Sequence, residues 1–207
     1  MGFKECLEGV LKYEGNYSKH NSDIGGETFR GISRFYHSDW DGWEIIDLVK
    51  EKIDGIKLLK SGDITAALGS AYNNKLNQLV MLFYKEEFWD RVRGDEISEI
   101  DEDIACEVFD MAVNMGVKAA IRNLQKAINI TYGEWVDAKA KDFITVDGIV
   151  GKETLSALEI IKDYDGMYAL AECFRKLRAL KYAQIVKNNP NQAVFIYGWL
   201  KRALKVG

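Results

Sequence analysis

Proline is nearly absent: Pro190 is the only one in 207 residues. With so few breakers, long helices can run uninterrupted, and a proline-rich linker architecture is excluded. Apolar runs are short as well. The longest, Leu79-Val-Met-Leu-Phe-Tyr84, cannot span a bilayer, so stable membrane insertion is not expected. The first fifteen residues carry charges throughout and lack the apolar centre of a signal peptide. That predicts a chain made in the cytoplasm without an ordinary export signal. The two histidines, His20 and His37, are far apart and have no Cys or His neighbour, which argues against a structural metal site. The cysteines Cys6, Cys106 and Cys173 are an odd set among helical apolar residues, and small buried thiols are expected rather than a disulfide or reactive site.

What is present is the composition of a globular protein, 47% hydrophobic and 29% charged. The net charge of −4 argues against a general nucleic-acid binder. The charges are unevenly distributed. Residues 86–107 hold ten acids and two arginines, whereas Cys173 to the end holds eight Lys or Arg and no acid. Two readings are open: the regions neutralise each other inside the fold, or a basic C-terminal surface meets an anionic polymer.

Helical periodicity dominates the chain. Phe3, Leu7, Val10 and Leu11 predict an amphipathic helix over 2–14, ended by Gly15. Residues 16–35 are irregular and Gly-containing, with short β-structure expected there. Helices are predicted over 43–52 and 63–90, with capping chemistry at Ser61-Gly-Asp63. Further helices are predicted over 101–115, 117–129, a short segment after Val146-Asp-Gly-Ile-Val-Gly151, 166–188 and 191–205. The expected fold is mainly α and lysozyme-like. It has a small irregular or β element near 16–35 and a soft boundary near residue 100. Regions 1–100 and 101–207 are expected to pack as one compact unit, with a cleft between the 16–35 element and helices of the second half.

One residue breaks the pattern of the first helix. At about 100° per residue, Glu14 falls between Leu7 and Phe3 on the apolar face, while Glu5, Glu8 and Lys12 fall on the other. It would also occupy the last turn, where the helix dipole disfavours an anion. Burial and dipole both penalise the ionised form, so a raised pKa is expected. A carboxyl protonated near neutrality can donate its proton to a leaving oxygen, as acid catalysis of glycosidic cleavage requires. The competing reading is a buried glutamate held by an arginine such as Arg30. Asp23 and Thr28 follow on a compact, Gly-rich segment, and an acid, a second carboxylate and a hydroxyl can together surround one sugar linkage. Glu27 is the competing second carboxylate.

The run Val10-Leu-Lys-Tyr-Glu14-Gly-Asn-Tyr17, then Asp23-Ile-Gly-Gly-Glu-Thr28 and Gly31-Ile32, resembles the family 108 glycoside hydrolases. These are N-acetylmuramidases of phage endolysins and bacterial secretion-associated muramidases. Their pattern is EGGY followed by DPGG-x-T-x-x-GI, with the glutamate of EGGY taken as catalytic. Here Asn16 replaces the second glycine and Ile24 replaces the proline. Phe88-Trp-Asp90 resembles the family's YWD segment. Val108-Phe-Asp-Met-Ala-Val-Asn-Met-Gly116, Leu124-Gln125, Val146-Asp-Gly-Ile-Val-Gly151 with Thr154, and Gly198-Trp199 with Arg202 resemble the peptidoglycan-binding region usually fused to it.

The resemblance implies hydrolysis of the β-1,4 bond between N-acetylmuramic acid and N-acetylglucosamine. It implies Glu14 as catalytic acid, with supporting roles for Asp23 and Thr28. Tyr17, Glu27, Asp110, Asn114 and Trp199 are candidate substrate contacts. Asp110 and Asn114, four apart on one helix, could line a sugar groove; equally, Asn114 could cap its helix and Asp110 be solvated. Tyr17, Trp89, Tyr197 and Trp199 could stack on sugars or belong to the core. No cofactor or metal is needed. The expected partner is peptidoglycan, not nucleic acid, reached through a holin pore or a dedicated secretion route. Three rivals stand beside this reading. They are a lytic transglycosylase, a non-catalytic wall-binding or secretion-accessory protein, and a helical module whose basic C-terminus engages lipid or nucleic acid.

Overall fold

A computed structural model describes residues 2–19, 26–52, 69–135 and 143–205. The chain divides into two compact units, Lys4–Glu87 and Met1–Phe3 with Phe88–Gly207. The fold is mainly α with a small three-stranded antiparallel sheet, as the periodicity implied. Among the described residues, no helix is long and apolar enough to cross a membrane.

Helix α1 (Phe3–Leu11) buries Cys6, Leu7 and Val10, the stripe expected of it. It ends three residues before Glu14, not at Gly15. The Tyr13 N–H closes a tight turn on the Val10 carbonyl at 3.0 Å, and Tyr13 is already 57% exposed. Once Lys12 and Tyr13 face solvent, another helical turn would bury no further apolar surface there.

The sheet follows as β1 (Tyr17–Lys19), β2 (Glu27–Phe29) and β3 (Ile32–Ser33), in the order β1-β2-β3. Tyr17 pairs with Phe29, and Phe29 with Ile32; all three are buried on one face. Ser18, Thr28 and Ser33 pair across the other face and are half-buried. Period-two alternation thus produces an apolar face and a hydroxyl face from eight residues.

Helix α2 (Gly42–Lys52) packs near α3 (Gly69–Tyr84). A charge cluster ties α2 to the sheet. Arg34 grips Asp47 with two hydrogen bonds of 2.7 and 2.5 Å and reaches Glu27 at 3.1 Å. Lys50 bridges Glu27 and Asp47, and the Tyr17 hydroxyl donates to Glu27 at 2.9 Å. The Arg34 guanidinium holds Asp47 down at about 2. Burial alone would raise the Glu27 carboxyl, but hydrogen bonds from Lys50, Tyr17 and Arg34 outweigh it and keep it below its ordinary value.

In the other unit a π-turn (Lys85–Trp89) and a 3-10 turn (Asp90–Val92) lead into α4 (Gly94–Ile100), α5 (Glu102–Met115) and α6 (Val117–Trp135). The Asp101 side chain caps α5 by accepting from the Ile104 N–H at 2.8 Å, and α5 stops at Gly116. Its face of Ile104, Val108, Phe109 and Met111 is fully buried. Phe3 and Phe109 close on Trp89, with ring centroids 5.4 and 5.5 Å away.

The loop before α7 (Lys152–Asp163) is anchored by Gln125. Its amide donates to Asp147 at 2.8 Å and to the Ile149 carbonyl at 3.0 Å, and it accepts from the Gly148 N–H at 2.8 Å. The Asp-Gly motif is therefore a turn held by a residue more than twenty positions earlier. Helix α8 (Met167–Asn188), a 3-10 segment (Pro190–Phe195) and α9 (Ile196–Leu204) complete the unit. The capping chemistry expected at 61–63 lies outside the described residues. The cysteine expectation fails in two of three cases: Cys6 and Cys106 are each in a disulfide, and Cys173 is a thiol.

The Glu27–Asp47 cluster has a pH signature. Both carboxyls titrate below their unfolded values, so their stabilisation is present above about pH 4 and is lost as pH falls towards about 2. The thermal midpoint is expected to drop over that interval, and Arg34→Gln should flatten the drop. Calorimetry across the range checks this; an unchanged slope in the variant would contradict it.

Candidate active site

Glu14 lies in the turn between α1 and β1, half-buried, and the geometry that places it comes from the β2–β3 hairpin. That hairpin has a two-residue loop, Arg30-Gly31, with φ of 46° and 80°. Two consecutive left-handed residues match the right-handed twist of the strands they join. The Arg30 N–H donates to the Asn16 carbonyl at 2.5 Å, and the Tyr84 hydroxyl donates to the Arg30 carbonyl at 2.8 Å. The hairpin is thereby fixed on one side to the turn that carries Glu14 and on the other to the end of α3.

Gly31 is where these parts converge. A Cβ there would lie 2.8 Å from Glu14 Oε2 and 2.6 Å from the Tyr84 hydroxyl oxygen. Both distances are shorter than side-chain contacts allow. Glycine is required twice, for its positive φ and for the close approach of backbone to carboxylate. The expected placement of Glu14 in the final helical turn is corrected. It stands beyond the helix, and the hairpin, not the apolar stripe of α1, defines its surroundings.

The other proposed chemical groups are distributed as follows. Asp23 lies outside the described residues. Thr28 is on the hydroxyl face of the sheet, its Oγ1 2.7 Å from Ser18 Oγ in a hydrogen bond. Tyr17 and Glu27 bond each other and, with Lys50, Arg34 and Asp47, form the brace between sheet and α2. The Glu27 carboxylate carries three donors, a load that suits a structural role better than proton transfer. Among the described residues, a cleft of about 350 Å³ is lined by Glu8, Leu11, Lys12, Asn16 and Arg30; Glu14 is not part of this lining. Arg30 makes no ion pair with Glu14. Its NH1 donates to Asn77 Oδ1 at 2.7 Å, and its guanidinium lies over the Phe29 ring at 5.7 Å.

Asp110, Asn114 and Trp199 come together in the other unit, within a seam of α5, α8 and α9. Both Asp110 oxygens are taken by arginines, Oδ2 by Arg178 at 2.6 Å and Oδ1 by Arg202 at 2.9 Å. The Tyr182 hydroxyl donates to Asn114 Oδ1, and the Arg178 guanidinium donates to the same hydroxyl at 3.2 and 3.3 Å. Trp199 stacks between Tyr182 and Phe195, at 5.1 and 5.8 Å. Asn114 is thus neither a cap nor a free groove residue, and Asp110 is not merely solvated. Glu107, buried beside them, pairs with Arg175 at 2.8 Å and Lys205 at 2.7 Å. Of the acids in 86–107, Glu107 meets the basic C-terminal stretch here, through Arg175 and Lys205. Of the aromatics weighed as sugar platforms, Tyr17 and Trp89 are core, while Tyr197 is 79% exposed.

Sequence reasoning missed Tyr84 and Arg178, and gave Gly31 only a turn. A signal existed for Gly31. The short Thr28-Phe-Arg-Gly-Ile32 run has strand-forming residues on both sides of an Arg-Gly dipeptide. Arg178 had none, since its partner Asp110 is 68 positions away.

Comparison with known proteins gives two adjoining family matches. The description "Glycosyl hydrolase 108" matches residues 7–116, and "Predicted Peptidoglycan domain" matches 119–204. No curated protein matches the sequence. Among solved structures, "Structure of Brucella abortus SagA" is 20% identical over 98% of this chain and 90% of that one, with a TM-score of 0.56, which shows a shared fold.

Two outcomes follow from this geometry. Gly31→Ala should cost about 1–2 kcal/mol from the left-handed φ alone and displace Glu14 or Tyr84. Gly31→Asn, which tolerates the φ but keeps the clash, separates the two causes by urea melts and wall-lysis rates. Asp110→Ala should cost about 3 kcal/mol, because it strands the buried Arg178 charge. An unchanged urea midpoint would show that Asp110 has no structural role.

Proposed function

Since this chain belongs to the glycosyl hydrolase 108 family, we propose that it is an N-acetylmuramidase in which Glu14 is the catalytic acid. That it is a glycoside hydrolase acting on peptidoglycan, of the lysozyme-like kind, follows from the two adjoining family matches. The bond specificity and the residue roles are our reading. The observation that carries it is the carboxylate of Glu14 set against the bare backbone of Gly31. The hairpin beside it is held at the Arg30 N–H by Asn16 and at the Arg30 carbonyl by Tyr84. Catalytic acids need such fixed geometry, because proton transfer in the transition state depends on short, aligned approach.

In this reading Glu14 protonates the oxygen linking N-acetylmuramic acid to N-acetylglucosamine. Positive charge then builds at the anomeric carbon, and a second carboxylate must stabilise it or activate water. Asp23 is assigned that role, with Thr28 positioning water from the hydroxyl face of the sheet. Glu27, Tyr17, Asp110 and Asn114 serve by holding elements in place, and the C-terminal region, through its peptidoglycan-domain match, retains the enzyme on the wall. No step calls for a metal or cofactor. Disulfide-bonded cysteines persist in oxidising compartments, which supports action at the wall after release through a holin or a secretion route.

The test is lysis of purified walls by wild type beside Glu14→Gln, both checked for folding by circular dichroism. Glu14→Gln should lose at least about a hundredfold in rate, the size expected for a general acid. Wild type should release reducing N-acetylmuramic acid ends. Equal rates would overturn the assignment of Glu14, reducing N-acetylglucosamine ends would overturn the bond, and anhydro ends would make the chain a transglycosylase.

A further inference from the structure

The unit that holds α4 to α9 carries a charge cluster that neither its packing nor the proposed hydrolysis uses. Lys118, Arg122 and Lys126 stand four residues apart on α6 and form one row along its exposed side. At about 1.5 Å per residue, the row is about 12 Å long. Like charges at this spacing weaken a helix, and residues 117–133 of α6 include no acid to offset them. Elsewhere in this unit cations are set against acids: Arg175 and Lys205 against Glu107, Arg178 and Arg202 against Asp110. Among the described residues, Lys118, Arg122 and Lys126 make no ion pair.

Two neighbours support the row and add to it. The loop ahead of α7 lies against its first members. A Cβ at Gly148, where φ is 85°, would lie 2.8 Å from Lys118 Cγ and 3.3 Å from Arg122 Cγ. The stems of both side chains therefore run over this turn. Helix α8 lies alongside, joined to α6 by the Asn123 amide, which donates to the Phe174 carbonyl at 3.0 Å. From α8 comes Lys181, half-buried. Burial, and then the charges of Lys126 and Arg122, push its ammonium below its ordinary pKa. One acid, Asp147, shares the field of Arg122, but its Oδ1 accepts from the Gln125 amide and the Ile149 N–H at 2.8 Å each. Four positive charges therefore stand against one negative.

We propose that the surface formed by Lys118, Arg122, Lys126 and Lys181 binds the free carboxylates of the peptides that branch from the wall glycan. The proposal rests on the reading that peptidoglycan is the substrate. In that polymer a sugar whose lactyl carboxyl is joined to a peptide carries no charge, and the negative charge lies on the peptide's own carboxylates. The match to the peptidoglycan-domain description, residues 119–204, contains Arg122, Lys126 and Lys181, and Lys118 borders it. Cations about 6 Å apart in a row suit repeated anions better than a single small one. Arg122 offers a planar fork to a carboxylate, and the lysines offer point charges. Lys181 gains most from an arriving anion, because that anion offsets a repulsion already present among the cations.

The test is co-sedimentation of the full chain with insoluble wall fragments on ice. Three preparations are compared: native walls, walls freed of attached phosphate polymers by hydrofluoric acid, and the latter with their peptide carboxyls converted to amides. Wild type should bind the first two within about twofold of each other and the third about tenfold more weakly, the size of a few exposed ion pairs together. Arg122→Gln/Lys126→Gln/Lys181→Gln, checked for folding by circular dichroism, should show the same loss of about tenfold on walls with free carboxyls and no further loss on amidated ones. Lys176→Gln/Lys187→Gln/Lys201→Gln removes equal charge from exposed positions outside the cluster and should bind as wild type does. Equal binding of wild type to amidated walls, or no binding to any wall, would overturn the proposal. So would loss of binding once the phosphate polymers are gone, or equal losses in the two triple variants. The enzymatic reading fails separately. Charge-dependent binding in a chain whose lysis ignores Glu14→Gln leaves this surface standing; Glu14-dependent lysis without charge-dependent binding removes the surface alone.

Discussion

The lack of room for a side chain at Gly31, between Glu14 and Tyr84, is the constraint around which the β2–β3 hairpin is arranged. The backbone at Gly31 approaches so closely that a single methyl group would collide with both Glu14 and Tyr84. Such an approach is possible only if the hairpin is rigid and correctly registered. The left-handed pair Arg30-Gly31 provides the turn, and cross-strand pairing of Phe29 with Ile32 sets the register. Tyr84, reaching back from the end of α3, keeps the loop from lifting away. Each component would be unremarked alone. Together they hold the hairpin against the turn that carries Glu14.

Charge is used differently in the two units. Around Glu27 it braces a sheet of only eight residues that could not bury enough apolar surface by itself. Arg34 and Lys50 each reach two carboxylates, so the loss of one contact does not release α2. In the helical unit, Asp110 and Glu107 receive cations from α8 and from the α9 end of the chain. Arg178 is wholly buried there, and every polar neighbour it has is engaged with another. Such networks do not add much net stability, but they are intolerant of any other arrangement. Asp110 and Asn114, weighed as sugar contacts, are here hydrogen-bonded to Arg178, Arg202 and Tyr182.

The sequence by itself determined the helices, because their apolar stripes are local and repeat every three to four residues. The stripes of α5, α6 and α7 appear in the core much as periodicity placed them. It also determined the position of a break with short β-structure and the presence of a carboxylate where the first helix gives out. Family motifs in order along the chain pointed to the chemistry. Tertiary structure decided the rest. Where α1 stops depends on which side chains meet solvent after Leu11, and that is not a property of the helix alone. Which acid faces which base was not legible, since Asp110 meets its partners 68 and 92 positions away and pairing is a matter of packing. The role of Gly31 was half legible: a glycine turn is written in the local sequence, but the lack of room for a side chain between Glu14 and Tyr84 exists only once hairpin, turn and α3 have come together.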